Sequence, residues 1–341
     1  MALNDIGIDL GTTSVIIYME GKGIVLNEPT VVAVDTDTGK VLEVGEKAYN
    51  MIGRTPAHIT AVRPLKDGVI SDYVLTRELV KRFVTKVSAT QMVKPRVAVC
   101  VPAALTGIES DAAKEAVVAA GARQIFLIDE PIAAAIGSGL DITRPGGNIV
   151  VDIGGGTTDI AVISLGGKVQ STSVKIAGNT LDREIVKHLR MKFHLLVGEK
   201  SAELLKRQVA CADRELDYNS SAEIKGRSLD TGLPVRCTVT TADLYEPVCA
   251  CVEELTEAVH GVLSRTPPEL AGDIFERGIM LTGGGALLRG LDSYMSRTLK
   301  LGVRISDEPI NCVAIGTGKS IELKDELESG FMDVTPRPGR R

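Results

Sequence analysis

The stretch from Val150 to Val162 reads VVDIGGGTTDIAV, with three glycines and two threonines between two apolar runs. Both runs are rich in β-branched residues and predict strands joined by a glycine turn. Glycine lets a backbone adopt positive φ and approach a ligand closely. The N–H groups that such a turn exposes form a cradle for an anion. We therefore interpret Gly154, Gly155, Gly156, Thr157 and Thr158 as a phosphate-binding loop.

Asp152 stands two residues before this turn. A carboxylate repels a phosphate, but it can hold a hydrated Mg²⁺ that bridges to the phosphate oxygens. Asp152 is therefore a candidate magnesium ligand.

The same element occurs near the start of the chain, where Asp9-Leu-Gly-Thr-Thr leads into an apolar run. Gly11, Thr12 and Thr13 predict a first phosphate loop, and Asp9 a second magnesium carboxylate. A single loop of this kind is equally well explained as a tight hairpin. Two copies favour a site that grips a triphosphate from both sides, and they indicate a weak internal repeat.

A third glycine loop follows a strand-like run near the C-terminus. It consists of Gly283, Gly284, Gly285 and Ala286. We expect it to open a helix and to offer a flat backbone to a nucleotide base or sugar. The segment Gly316–Ser320 resembles the end of a P-loop, but position 313 is valine where that motif needs glycine, so Lys319 is interpreted as structural.

Length and composition indicate a globular protein of two domains, and the coarse pattern along the chain mixes strands and helices, as in an α/β fold. The chain has 341 residues, a net charge of −5, 3% aromatic residues and no tryptophan. The cores must be aliphatic, and the acidic balance argues against a general nucleic-acid binder. Six scattered cysteines favour buried thiols over a zinc site. We found no signal peptide and no apolar run that spans a membrane, which predicts a cytoplasmic location.

The break RPGGN at residues 144–148 separates the predicted domains. The first covers residues 1–145 with phosphate loop 1, and the second covers 146–325 with phosphate loop 2 and the third loop. Residues 326–341 are polar and end in basic residues, which predicts a disordered tail.

With these loops, the chain resembles the superfamily of actin and heat-shock chaperone ATPases. It is more specifically similar to the MreB/Mbl family of bacterial actin-like, rod-shape-determining proteins. The resemblance covers roughly residues 5–322 and rests on IGIDLGTTS, EPTVVA, NMIGRTPAHITAVRPLKDGVISDY, LIDEPIAAAIG, VVDIGGGTTDIAVISLGG, LTGGGALLRGLD and VAIGTGK.

The resemblance implies an actin-like fold, in which two RNase H-like domains, each with a smaller subdomain, flank a nucleotide cleft. It implies ATP or ADP with Mg²⁺ as ligands, and slow ATP hydrolysis coupled to filament turnover. Members polymerise into paired antiparallel protofilaments on the inner face of the cytoplasmic membrane. They guide the membrane proteins of cell-wall elongation and so set cell shape.

Carried onto this sequence, the catalytic glutamate of the family is Glu130 in LIDEP, and Thr157 helps to orient the attacking water. Glu203 and Lys206 match the A-E-x-x-K pattern that reaches the ribose and base. The alternative for these two residues is a surface salt bridge between positions i and i+3. Ser14 stands where the family commonly has asparagine, so its contact with the γ-phosphate is expected to be weaker or water-mediated.

The membrane element of the family falls on a hairpin tip near residues 90–94, at Met92 and Val93. The basic residues Lys86, Lys94 and Arg96 flank it and would suit an anionic headgroup layer. An ordinary loop is the alternative.

Three other functions were compared with the filament-forming ATPase. A chaperone-type ATPase would need a further substrate domain. A sugar or acetate kinase would use Glu130 as a base toward an acceptor. A filament that barely hydrolyses ATP would have no need of Glu130.

Overall fold

The computed structural model describes residues 5–88, 94–101, 114–115, 117–118, 121–216 and 218–336. The chain divides into two compact units. Unit 1 contains Met1–Gly146, Ile163–Val169 and Ile310–Arg341, and unit 2 contains Gly147–Val162 and Gln170–Pro309. The first break falls within the segment RPGGN, residues 144–148. The C-terminal residues differ from the sequence-based division, because they pack on unit 1.

Unit 1 is built on a six-stranded sheet in the order β19-β10-β9-β1-β2-β3. The strands β1, β2 and β3 form an antiparallel meander, and β9 runs parallel to both β1 and β10. Two smaller sheets, β5-β4-β6 and β7-β8, complete the unit. The strands are β1 (Ile6–Leu10), β2 (Ser14–Met19), β3 (Gly23–Pro29), β4 (Val32–Asp35), β5 (Val41–Val44), β6 (Ile59–Val62), β7 (Leu65–Lys66), β8 (Val69–Ile70), β9 (Arg96–Val101), β10 (Gln124–Asp129) and β19 (Phe331–Asp333). The helices are α1 (Glu46–Tyr49), α2 (Tyr73–Ser88), α3 (Glu130–Gly137) and α9 (Cys312–Lys319).

Unit 2 repeats this plan with a five-stranded sheet in the order β13-β12-β11-β17-β18, and it adds a small sheet β14-β15-β16. In both main sheets the strand before the glycine loop pairs with the strand after it and with a parallel strand on its other side. The strands are β11 (Asn148–Ile153), β12 (Thr158–Ser164), β13 (Gly167–Val174), β14 (Leu195–Leu196), β15 (Ser221–Ser228), β16 (Pro234–Thr240), β17 (Ile279–Thr282) and β18 (Val303–Ile305). The helices are α4 (Gly178–Lys192), α5 (Glu199–Val209), α6 (Thr241–Leu263), α7 (Pro268–Arg277) and α8 (Leu291–Leu299).

The two cores are aliphatic, as the composition predicts. In unit 1 the alternate residues Ile6, Ile8 and Leu10 of β1 enter the core beside the buried face of α2. In unit 2 all six residues of β11 are buried, as expected for a central strand covered on both faces. Each core thus fixes the strand that leads into one of the two glycine loops.

Glycines let α9 lie directly against α3. A Cβ atom on Gly316 would be 1.8 Å from the carbonyl oxygen of Ala133, and one on Gly137 would be 1.8 Å from that of Cys312. The glycines of the GTGKS segment therefore serve packing, Gly316 against α3 and Gly318 against Tyr18 of β2, and Lys319 is exposed at the end of α9. This contact explains why residues 310–325 belong to unit 1.

The predicted disordered tail, residues 326–341, contains a strand instead. Phe331–Asp333 adds β19 antiparallel to the edge of the main sheet, and the ring of Phe331 stacks on Phe126 with centroids 5.2 Å apart. A three-residue strand in a polar context carries too little periodicity to be predicted. Residues 337–341 lie outside the described part of the chain.

Helix α5 ends at Val209, and the chain leaves regular structure at residue 210. There the backbone of Cys211 bridges to Arg289, and the N–H of Ala212 donates to the Arg289 carbonyl at 2.8 Å. Within the described ranges, no helix combines the length and the apolarity that crossing a membrane requires.

The helix contact at Gly316 gives a test of the fold. Gly316→Ala should lower the free energy of unfolding by about 3 kcal/mol or more, because backbone atoms cannot yield as a flexible side chain can. Gly272→Ala is the matched control, since no atom lies within 4 Å of a Cβ at that helical glycine. It should be neutral or stabilising by up to about 1 kcal/mol. Urea unfolding of both variants checks this, and equal stabilities would contradict the close contact.

Candidate functional site

Phosphate loop 1 is a hairpin between β1 and β2 whose two central residues are Thr12 and Thr13. The N–H of Gly11 donates to the carbonyl of Ser14 at 3.1 Å and closes the loop around Thr12 and Thr13. A Cβ atom on Gly11 would lie 2.8 Å from the Ser14 carbonyl oxygen. Only glycine fits this position without moving the backbone.

Thr30 holds the carbonyl groups of loop 1. It is fully buried, its hydroxyl donates to the Gly11 carbonyl at 2.7 Å, and its N–H donates to the Thr13 carbonyl at 2.9 Å. The negative ends of these two peptide dipoles therefore point at Thr30. This arrangement lowers the repulsion that an incoming phosphate would meet at the loop.

Phosphate loop 2 has the same construction in unit 2. The N–H of Gly154 donates to the carbonyl of Thr157 at 3.0 Å, and the loop residues are Gly155 and Gly156. The first turn of α4 holds the loop carbonyls: Gly178 N–H donates to Gly154 at 3.1 Å, and Asn179 N–H donates to Gly155 at 2.8 Å. The main-chain N–H groups of α4 thus hold the carbonyls of loop 2, as Thr30 holds those of loop 1.

The equal loop lengths define which residues correspond. Asp9 matches Asp152, Gly11 matches Gly154, and Ser14 matches Thr157, because each pair holds the same place in its hairpin. In the structure, the counterparts of Thr12 and Thr13 are the two loop glycines of unit 2.

The hydroxyl groups of the loops differ in their use. Thr12 accepts a hydrogen bond from the N–H of Gly68 at 3.0 Å, in the tight turn between β7 and β8. Thr158 donates to the Ile176 carbonyl at 2.6 Å, so its hydroxyl is structural. The Thr13 hydroxyl oxygen is buried and has no hydrogen-bond partner among the described residues. Such a group is costly to leave unpaired, and a phosphate oxygen would satisfy it.

The two candidate metal carboxylates lie in the strands that precede the loops. Asp9 pairs across the sheet with Ile16 of β2, and Asp152 is 2% exposed. The hydroxyl of Thr282 donates to Asp152 Oδ1 at 2.6 Å and orients the carboxylate. Within the described residues no three His, Cys, Asp or Glu side chains come together as a metal site. Lone carboxylates fit Mg²⁺, which keeps water and phosphate oxygens as its other ligands.

The third glycine loop packs against the strand that leads into loop 2. A Cβ on Gly283 would be 2.4 Å from the Ile153 carbonyl oxygen, and one on Gly285 would be 2.2 Å from Ile153 Cγ2. A Cβ on Gly284 would meet no atom within 4 Å, so its surface is open. Ala286 is fully buried in the core of unit 2.

The third glycine loop was expected to open a helix. It forms a four-residue 3₁₀ turn instead, Gly284–Leu287, and helix α8 begins only at Leu291.

Glu203 and Lys206 both lie in α5, and each has a charged partner of its own. Glu203 accepts from Arg207 at 2.6 Å. Lys206 instead reaches α4, with its Nζ 2.8 Å from Asp182 Oδ1 and 2.9 Å from the Gly178 carbonyl oxygen. Burial raises the pKa of Asp182, and the Lys206 charge opposes this shift.

Glu130 is the first residue of α3 and directly follows β10. Its neighbour Asp129 is anchored in unit 1: its carboxylate pairs with Lys168, and its N–H donates to the Gly330 carbonyl at 2.8 Å. This anchoring fixes the start of α3 and the backbone of Glu130.

The membrane residues Met92 and Val93 lie outside the described residues. Two of the three basic residues around them are paired. Arg96 donates to Asp5 through two nitrogens, and Lys86 lies 2.9 Å from Glu28.

Sequence reasoning missed Thr30, Gly178, Asp182 and Thr282, which position the candidate site residues. All four bind their targets across long stretches of chain. Thr30 lies in the quoted block EPTVVA, but nothing in that block indicates the carbonyl groups to which it donates.

The sequence of this chain is similar to those of known proteins. The family model described as MreB/Mbl protein matches residues 3–329. The cell shape-determining protein Mbl of Bacillus subtilis is 48% identical over 96% of this chain and 98% of its own length. The cell shape-determining protein MreB of Escherichia coli is 44% identical over 95% of each chain.

Among solved structures, MreB5 of Spiroplasma citri bound to ADP superposes with a TM-score of 0.89, at 35% identity over 95% of this chain and 99% of that one. A structure of the same protein bound to AMPPNP gives 0.87, at 34% identity over 96% and 99%. The MamK double helical filament gives 0.76 at 23% identity, over 93% and 98%, which shows the fold alone. The fold is actin-like.

Proposed function

Because the chain belongs to the MreB/Mbl family, we propose that it is an actin-like cytoskeletal ATPase that assembles into filaments and helps to set cell shape. The observation that carries the proposal is the pair of equivalent hairpin loops whose carbonyl groups are held by Thr30 and by α4. Such loops suit the phosphates of a nucleotide. The relatives bound to ADP and AMPPNP support the same ligand class.

In this proposal the phosphates of ATP or ADP bind Thr12, Thr13 and Ser14 of loop 1 and the three glycines of loop 2. The unpaired Thr13 hydroxyl gains a partner on binding. The base and ribose bind the third loop, Gly283 to Ala286, together with Glu203 and Lys206. Because the Ala286 side chain is buried, its contribution is its backbone.

Asp9 and Asp152 would hold Mg²⁺. When bound, this ion neutralises charge on the phosphates. Phosphoryl transfer to water then depends on positioning more than on covalent chemistry. Glu130 accepts a hydrogen bond from the attacking water and Thr157 orients it, so that the water attacks the γ-phosphorus and ADP and phosphate are released.

Self-association is the partner class that this function requires. We propose a homopolymer, with paired antiparallel protofilaments as in the family. We further propose that it lies on the inner face of the cytoplasmic membrane and works with the membrane proteins of cell-wall elongation. Nucleic acid is not among the proposed partners.

Sedimentation tests the proposal directly. Purified protein should pellet at high speed with Mg-ATP and pellet less with Mg-ADP or without nucleotide. Phosphate should appear slowly in the same tubes without any added acceptor. Phosphate release that depends on a sugar or acetate acceptor would instead indicate a kinase. Protein that stays in the supernatant with every nucleotide, even with anionic liposomes, would contradict the filament.

The role of Glu130 is tested by Glu130→Ala. Loss of the water-positioning carboxylate should lower phosphate release by about 100-fold or more, while ATP binding measured by calorimetry and Mg-ATP-dependent pelleting persist. Glu199→Ala is the control, because Glu199 lies exposed in the first turn of α5. Unchanged turnover in Glu130→Ala would mean that this carboxylate has no part in hydrolysis.

Membrane attachment is tested by the double variant Met92→Ser with Val93→Ser. Two small apolar side chains bind a bilayer weakly, so the avidity of a filament must supply the affinity. The variant should polymerise with Mg-ATP but no longer pellet with anionic liposomes at a centrifugal force that leaves free filaments in solution. Equal recovery of variant and wild type with liposomes would place the membrane contact elsewhere.

A further inference from the structure

The ammonium group of Lys206 is held by two groups of the neighbouring helix α4. Its Nζ lies 2.8 Å from Asp182 Oδ1 and 2.9 Å from the carbonyl oxygen of Gly178. The side chains of Lys206 and Asp182 are only 15% and 11% exposed. This is a largely buried ion pair that joins α5 to the first turn of α4.

Gly178 connects this ion pair to phosphate loop 2. Its N–H donates to the Gly154 carbonyl at 3.1 Å, while its own carbonyl accepts from Lys206. A Cβ on Gly178 would lie 3.4 Å from the Gly154 carbonyl oxygen and 3.6 Å from Lys206 Nζ. The Gly178 residue thus lies between the lysine on one side and the phosphate loop on the other, with a hydrogen bond to each.

The carboxylate determines where the ammonium lies. A lysine that loses a buried partner must leave the site or remain as an uncompensated charge. The ammonium donates a hydrogen bond to the Gly178 carbonyl, and the Asp182 carboxylate is its charged partner.

We propose that Asp182 is a positioning residue of the nucleotide site, whose carboxylate fixes Lys206 on the Gly178 carbonyl and so couples helix α5 to phosphate loop 2. The inference rests on the proposed function and deepens it, because it assigns Lys206 a second role besides contact with the nucleotide. The two predicted halves of the unit 2 site, phosphate loop and nucleoside helix, are then set by one ion pair.

Two other roles for Asp182 and Lys206 would give different changes in ADP affinity. If Lys206 acted only as a ligand, its loss would weaken nucleotide binding and the loss of Asp182 would not. If the pair were only structural, either loss would lower stability but would leave the ADP affinity of the folded protein unchanged.

The experiment compares Asp182→Asn, Lys206→Met and the double variant in the full chain, with ADP and Mg²⁺ in calorimetry. Asp182→Asn keeps the volume of the side chain and removes its charge. Each single variant should weaken ADP binding by about tenfold or more, the equivalent of one charge-assisted hydrogen bond. The double variant should bind ADP no more weakly than the single variant with the lower affinity, because both changes break the same ion pair. The double variant also removes both charges of the pair, so neither remains buried without a partner. Its ADP affinity can therefore be measured even if a single variant does not fold.

Glu184→Gln is the matched control. It makes the same kind of change on the same helix, in a pair with Lys187 whose side chains are 41% and 65% exposed. Its ADP affinity should equal that of the wild type. ADP affinity that falls in Lys206→Met but not in Asp182→Asn would overturn the proposal.

Hydrogen–deuterium exchange of the ligand-free protein separates this inference from the proposed function. Peptides covering residues 153–158 and 177–182 should exchange faster in Asp182→Asn than in Glu184→Gln, because loop 2 loses its support. Unchanged exchange there would overturn the coupling to the loop. A wild type that binds no ADP would overturn the proposed function itself, while the exchange result still decides whether Asp182 holds the loop.

Discussion

Both candidate phosphate loops depend on one constraint: a short hairpin can receive an anion only if its carbonyl oxygens are occupied elsewhere. In loop 1, the buried Thr30 hydrogen-bonds the carbonyls of Gly11 and Thr13. In loop 2, the first two N–H groups of α4 do the same for Gly154 and Gly155. Each carbonyl carries the negative end of a peptide dipole, so its orientation decides whether the loop attracts or repels a phosphate. The surrounding sheet and helices fix the donors that set this orientation.

The two loops share a backbone plan but differ in chemistry. Loop 1 has Thr12 and Thr13 at its two central positions, and loop 2 has Gly155 and Gly156 there. Loop 1 can therefore offer a side-chain hydroxyl to a ligand, most directly that of Thr13, while loop 2 has only its backbone at these positions. The hydroxyl of loop 2 comes one place later, at Thr157, which corresponds to Ser14. An internal repeat has thus kept its geometry while the donors within it changed.

The local part of this site could be predicted from the sequence, and the supporting part could not. The strand–loop–strand elements, the third loop and the aliphatic cores all follow from composition and short patterns, and the MreB/Mbl family assignment is confirmed. The donors that hold the loop carbonyls could not be predicted, because Thr30 and the first turn of α4 reach the loops only through the fold. The partner of Lys206 could not be predicted either, since helical spacing indicates Glu203 while the fold supplies Asp182. The packing of residues 310–325 on unit 1 could not be predicted, because it depends on close backbone contacts at glycines, which carry no hydrophobic pattern.

The burial of Asp182 and Lys206 has an energetic consequence. Taking both charges out of water costs several kcal/mol for each ion, and the attraction between them offsets this only in good geometry. A well-packed apolar pair of similar volume is often as stable or more stable, so stability alone is a weak reason for charged residues here. What an apolar pair could not supply is the additional hydrogen bond from Lys206 to the carbonyl of Gly178, the residue whose N–H holds loop 2. The ion pair is therefore better explained by the geometry that it imposes on the phosphate loop than by the stability that it adds to the fold.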